Sequence, residues 1–403
     1  MRHWLWLWAW ICVGAARLPA VEVPAGAELR IRLTERVDSG AAKPKQPVKA
    51  ALIMPLVVDG KIVAPAGAEL SGVVQAVEPV TDPHKPAGLL LDFNRLQMPG
   101  GEKEKMSAKV AGVDNARESV DDTGKIVGII GSETFAARID QGIGKLAQKY
   151  AGLAGVLQAT KEAAGVKEAN PEIVYEPGVE LTLKLAQPLE IEKPSEGDAA
   201  NLQPFPSDAD VVEMVAAQPF RTLAANPPRP SDMTNLLFVG TQDKIEKAFA
   251  GAGWSTAAAL NGQSKLETAR AVIEERGYKE APVSTLLLDG NPPDLVFQKQ
   301  NNTFSQRHHL RIWRRPGDFD GQPIWVCAAT HDIGIDFSDR DKTFIHKIDP
   351  DIDKERAKVV SDLLFTHLVK SMELVDRPQV PKHSQNATGD NLETDGKMAV
   401  LLF

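Results

Sequence analysis

VPAGAELRIRL (residues 23–33) returns as APAGAELSGVV at 64–74 and, in shorter form, as EPGVELTLKL at 176–185. Each copy places Pro and Gly in a turn and then alternates apolar with polar residues, as Leu29, Ile31 and Leu33 do in the first. Such alternation puts those side chains on one face of a strand, the pattern of a sheet with one buried side. Between the first two copies, VKAALIMPLVVDGKIV (48–63) reads as two strands joined at Asp59–Gly60, a hairpin dipeptide. GLLLDFNRLQM (88–98) and MSAKVAGV (106–113) add further strands. Short strands separated by regular turns predict a small all-β barrel or sandwich.

Residues 132–169 break this pattern. They are rich in Ala, Lys, Gln and Gly, with apolar positions three and four apart, which predicts a helical hairpin or one bent helix inserted into the β-domain. Packing of this insertion on the barrel competes with membrane association through Gly142, Gly144, Gly152 and Gly155. The β-domain is thus expected over 21–193, followed by a Pro-bounded polar linker at 194–225. Beyond it, 226–377 mixes strand and helix signals and predicts an α/β domain. NLLFVG (235–240), HHLRIW (308–313) and IWVCAAT (324–330) read as strands, TQDKIEKAFAGAGW (241–254) and 353–372 as helices. The polar stretch after Pro378 predicts a disordered tail over 378–403. The expected fold class is two-domain: an N-terminal all-β barrel or sandwich with a helical insertion, then a C-terminal mixed α/β domain.

Composition narrows the function. The chain has 403 residues, 43% hydrophobic and 25% charged, with a net charge of −8, so no nucleic-acid partner is expected. Arg2 and His3 precede the apolar run 4–16, and small residues follow, which predicts a signal peptide over 1–20 and an exported, periplasmic or envelope-associated bacterial protein. An uncleaved signal anchor is the competing reading. After cleavage only Cys327 remains, so no internal disulfide is expected, and its apolar strand predicts a core residue.

Four of the eight histidines fall between 307 and 355, in the phrases RHHLRIW (307–313), ATHDIGID (329–336) and FIHKIDPDID (344–353). Strand parity separates His308, facing an apolar layer, from His309, facing a basic and wet one with Arg307 and Arg311. Two chemistries compete with purely structural hydrogen bonding. Arg307, His309, Arg311 and Arg314 form a donor set for phosphate or carboxylate. Alternatively His308, His331 and His346 supply neutral imidazoles, with Asp332 or Asp349, to a divalent metal such as zinc. DPDID (349–353) lacks the Gly and Glu that a calcium loop from Asp349 needs, and reads as the cap of the last helix. His367 is expected inside that helix, without a role.

Two family resemblances are carried by these residues. The run from PAGAELRIRLTERVDSG to VDGKIVAPAGAELSGVVQAV resembles the β-domain of the conjugation and type IV secretion scaffold family, over about 21–115 plus 173–191. That likeness implies a β fold in the envelope. The series NLLFVG, APVSTLLLDGNPPDLVFQKQ, RHHLRIW, WVCAATHDIGID and HKIDPDIDKERAKVVSDLL resembles the LssY C-terminal-like family, over about 226–375. It implies one domain, with His308, His309, His331, Asp332, His346 and Asp349 on its motif positions. The expected function is a ligand-binding or interaction protein whose partners are envelope components or a small anionic ligand. The alternatives are a metal-assisted hydrolase of a phosphorylated or lipid-linked envelope substrate and a structural component of a secretion-like assembly.

Overall fold

The computed structural model describes residues 20–403 except 60, 100–102, 193–201, 226, 258–266, 268–269, 279–282, 304 and 339–342. The signal-peptide reading therefore falls outside the described residues, apart from residue 20. No described helix is long and apolar enough to cross a membrane.

The sequence echo builds a closed six-stranded barrel. Its strands are β1 (Glu28–Leu33), β2 (Pro47–Leu52), β3 (Glu69–Glu78), β4 (Gly88–Gln97), β5 (Lys103–Val113) and β6 (Glu180–Leu185). They pair antiparallel in the ring β4–β3–β2–β1–β6–β5 and back to β4, so the barrel leaves none of these six as a free edge. Leu29, Ile31, Leu33, Leu70, Val74, Leu181 and Leu183 fill the interior as the alternation predicts.

The three turns act alike. Gly26, Gly67 and Gly178 adopt φ of +85°, +88° and +102°, a region open to glycine at little cost. Each then donates its N–H to the last carbonyl of a neighbouring strand: Gly26 to Leu185 (2.8 Å), Gly178 to Leu33 (2.8 Å) and Gly67 to Leu52 (2.7 Å).

The insertion is a helical hairpin, α1 (Phe135–Ala147) and α2 (Ala151–Ala163). Among its described residues only Ala136 and Ala154 are buried, while Tyr150, Leu153, Val156 and Leu157 are exposed. A side chain at any of its four glycines would meet nothing within 4 Å, so these glycines serve no helix contact.

The second domain is built on an eight-stranded sheet with covers on both faces. After α3 (Asp208–Ala216), β7 (Arg221–Ala225) and β8 (Pro228–Met233) come β9 (Leu236–Val239), α4 (Gln242–Gly251), β10 (Leu295–Lys299), β11 (Arg307–Phe319) and β12 (Gln322–Ser338). Then follow β13 (Thr343–Ile348), α5 (Ile352–Phe365), β14 (Ser371–Asp376) and β15 (Lys397–Leu402). The order is a two-residue strand at 255–256, then β10, β11, β12, β9, β15 and β14, with β13 pairing the far end of β12. Leu236, Phe238, Leu310 and Ile312 meet α4 and α5 on one face, while Leu237, Val239, Trp313 and Val326 meet α3 on the other.

Three boundaries differ from the sequence reading. Residues 208–225 are no linker: Val211, Met214 and Val215 of α3 are buried in the sheet's core, and β7 pairs with β8. The tail at 378–403 is ordered, because MAVLLF is the unbroken apolar run of a strand buried on both sides, and β15 lies between β9 and β14. The last helix stops at Phe365, since His367 takes a left-handed φ of +56° and the chain turns into β14. Asp351 is its cap, accepting the Asp353 N–H at 3.2 Å, as DPDID predicts.

Candidate functional site

Parity divides β11 as expected. His308 shares the helix-side face with Leu310 and Ile312, and the β11–β12 register sets it opposite His331. The two rings stack, with centroids 4.2 Å apart and planes 23° apart. Glu355, in the first turn of α5, lies 2.6 Å from His308 Nδ1 through its Oε2. The other ring nitrogen, Nε2, is 3.1 Å from Asp114 Oδ2, which belongs to the barrel just after β5. Neighbouring Asn115 places its Oδ1 2.8 Å from His331 Nε2. The histidine site is thus an interdomain contact.

An imidazole that faces a carboxylate through both nitrogens needs two N–H donors, so His308 is an imidazolium. Burial alone would depress its pKa, but Glu355 and Asp114 override burial and lift it to about 10. Asp114 answers in kind: burial opposes its ionisation, yet the His308 charge holds it well below the usual carboxylate range. Glu355 is pushed up by burial against the pull of His308, and among the described residues its second oxygen has no hydrogen-bond donor. Burial, then the charge of His308, brings His331 down to about 4, so the stack pairs a cation with a neutral ring.

A second buried cluster continues this contact. Glu180 of β6, in the third turn copy, receives Arg32 Nη2 (2.8 Å) and Lys358 (2.9 Å) and also pairs with Lys299. Asp362 of α5 accepts Lys299 (3.0 Å), Lys358 (2.8 Å) and Trp254 Nε1 (2.8 Å). Burial opposes ionisation of Glu180, but the three cations keep its pKa far below normal. Counting His308, four cations meet four carboxylates across the domain boundary, so no net charge is buried.

The opposite face of the sheet holds the rest. Arg307 Nε donates to Asp332 Oδ2 at 2.8 Å, and Arg311 reaches Asp232 at 3.3 Å and Ser284. His309 Nε2 meets Thr330 Oγ1 at 3.0 Å, with Nδ1 3.5 Å from Asp332. Burial, reinforced by the Arg311 and Arg307 charges, takes His309 down to about 3 despite Asp332. Burial opposes ionisation of Asp332 too, yet His309, His346 and Arg307 around it hold it well below the normal range.

These positions correct both ligand sets in their geometry. The expected wet basic face is buried: Arg307, His309 and Arg311 are at most 6% exposed, because β13 and the residues around Asp232 and Ser284 cover it. Arg314 is even-numbered in β11, so it lies on the other face, over Trp325, and pairs with Asp318 at 2.7 Å. The metal set also splits. Ile348 pairs with Asp332, which places His346 two residues away on the Asp332 face, 3.4 Å from that carboxylate. Asp349 turns to the Asp351 N–H (3.0 Å) and Lys354 (3.5 Å). His308, His331 and Glu355 do bring one ligand atom each within 4.8 Å of one another. A near-parallel stack, however, leaves an ion in the plane of one ring off the plane of the other, so the residues as placed do not fit a shared metal.

The residues of this contact missed from sequence are Arg32, Asp114, Asn115, Glu180, Lys299, Glu355, Lys358 and Asp362. Three carried a signal: Glu355, Lys358 and Asp362 recur three and four apart on the packed side of α5, where apolar residues belong. Glu180 carried none, since Glu28 and Glu69 occupy its place in the other copies and are exposed.

Comparison with known proteins places the second domain. Residues 218–398 match the LssY C-terminus family. The match reaches past the expected 226–375 on both sides, over β7 and into β15, in agreement with the ordered tail. On the barrel side, the structure of ComB10 of the Com type IV secretion system of Helicobacter pylori is similar to this chain at 11% identity. Its TM-score is 0.25, over 43% of this chain and 93% of that one. No curated protein matches the chain.

Proposed function

We propose that this is a non-catalytic, exported interaction protein of the cell envelope, in which the histidine phrases are the socket that holds the barrel. The observation that carries the reading is His308, gripped by Glu355 of its own domain and Asp114 of the barrel. General acid–base work asks for a group that titrates near the working pH and reaches a substrate. His308 is locked as a cation, His309 and His331 are held neutral, and the arginines beside them are occupied by carboxylates. The apolar run at 4–16 supports export. Exposed Tyr150, Leu153, Val156 and Leu157, with Lys145 and Lys149 beside them, support membrane association of the hairpin.

Hydrogen exchange tests the socket. His308→Ala is expected to raise exchange in both partners, around 114–115 and around 352–358, while the interiors of the barrel and sheet stay protected. Change confined to β11 and β12 would overturn the reading. Elemental analysis after purification without chelator is expected to find no stoichiometric metal; an equivalent lost in His331→Ala would restore the metal alternative.

A further inference from the structure

With the arginines of β11 committed to carboxylates, a cationic groove elsewhere in the second domain stands out. It lies where β7 and β8 face the hairpin of strands His383–Gln385 and Asn391–Glu393, with a volume of about 620 Å³. Arg221, Arg229 and His383 line it, with Ser384 and Asn386, and none of the described lining residues is acidic. That is unusual surface on a chain of net charge −8.

Arg221, like Arg377 at Thr234, differs from most arginines of this domain. Arg276, Arg307, Arg311, Arg314, Arg315 and Arg356 each meet a carboxylate. The groups that Arg221 grips are neutral, the Ser384 hydroxyl and the Gln385 carbonyl. Asp232, the acid that acts on it, is engaged by Arg311. Arg229 is steadied at 3.4 Å by the Ala387 carbonyl.

The far wall is preorganised. Asn386 Oδ1 accepts from the Thr388 N–H (3.0 Å), the Thr388 hydroxyl (2.7 Å) and the Asp390 N–H (2.9 Å), and Gly389 completes the turn at φ +94°. A wall held by its own hydrogen bonds loses little entropy on ligand binding.

We infer that this groove binds a phosphate group. Two guanidiniums with hydroxyl and amide neighbours line one groove, a donor set that suits a tetrahedral oxyanion. Free phosphate and the phosphodiester headgroup of a lipid share that chemistry.

Calorimetry on the full chain at low salt tests it, with inorganic phosphate, phosphatidylglycerol vesicles and acetate as probes. Saturable binding is expected for a phosphate-bearing probe and not for acetate; which probe binds identifies the source. Arg229→Ala should weaken binding about tenfold or more, the loss of one charge-assisted contact. Arg221→Lys keeps the charge, loses the fork and should weaken it too, with unchanged near-UV circular dichroism showing that both variants fold. Asp114→Asn should leave phosphate binding intact, so the groove and the socket fail separately. No saturable binding of either phosphate probe, or binding indifferent to both arginine variants, would overturn the inference.

Discussion

His308 and His309 share a strand, a backbone conformation and near-complete burial, yet one is a cation with a pKa of about 10 and the other neutral at about 3. Depth does not separate them, because burial pushes both down. Their neighbours do: two carboxylates grip His308 through hydrogen bonds, whereas His309 shares Asp332 with the guanidinium of Arg307. One face of the sheet reaches outward to the barrel, and the other is closed on itself. The lesson is that a cluster of histidines in sequence marks a buried polar layer before it marks chemistry.

The largest effect is expected on the closed face. Asp332→Ala takes the paired carboxylate from buried Arg307 and should cost about 3–5 kcal/mol by chemical denaturation. A loss below about 1 kcal/mol would show that water reaches Arg307.

The outward face should show itself in pH dependence. His308 is raised from 6.5 to about 10, so its contribution is complete below pH 6.5 and fades as pH rises through 10. His331 and His309 are lowered to about 4 and 3, so theirs is present above pH 6.5 and fades as pH falls. Stability across pH 4–10 should therefore peak near pH 6.5, and His308→Gln should flatten the alkaline side. An unchanged alkaline slope in that variant would refute the assignment.

The smallest effect separates Arg314 from its strand-mates. Its pair with Asp318 is exposed, and Arg314→Ala should cost less than about 1 kcal/mol in the same denaturation experiment. A cost like that of Asp332→Ala would put Arg314 in the buried network after all.

Much of this was legible in the sequence. Alternation and the Pro–Gly turns specify an all-β barrel or sandwich, because each strand has one buried face, and the parity of 307–313 separates His308 from His309. The rest needed the third dimension. MAVLLF follows a polar stretch, and a run of six residues has too little period to distinguish a strand from the end of a tail. His346 depends on the β12–β13 register, which no local pattern shows. Asp114 lies in a turn like many others, and only the docking of one domain on the other makes it a ligand of His308.

The most direct test of the socket is the distance between the domains. Paired spin labels at exposed Lys49 on the barrel and Lys370 on the second domain should give one narrow distribution in the wild type. Asp114→Asn and His308→Gln should broaden and lengthen it while each domain keeps its circular dichroism. An identical distribution in all three proteins would contradict the claim that these histidines hold the two domains together.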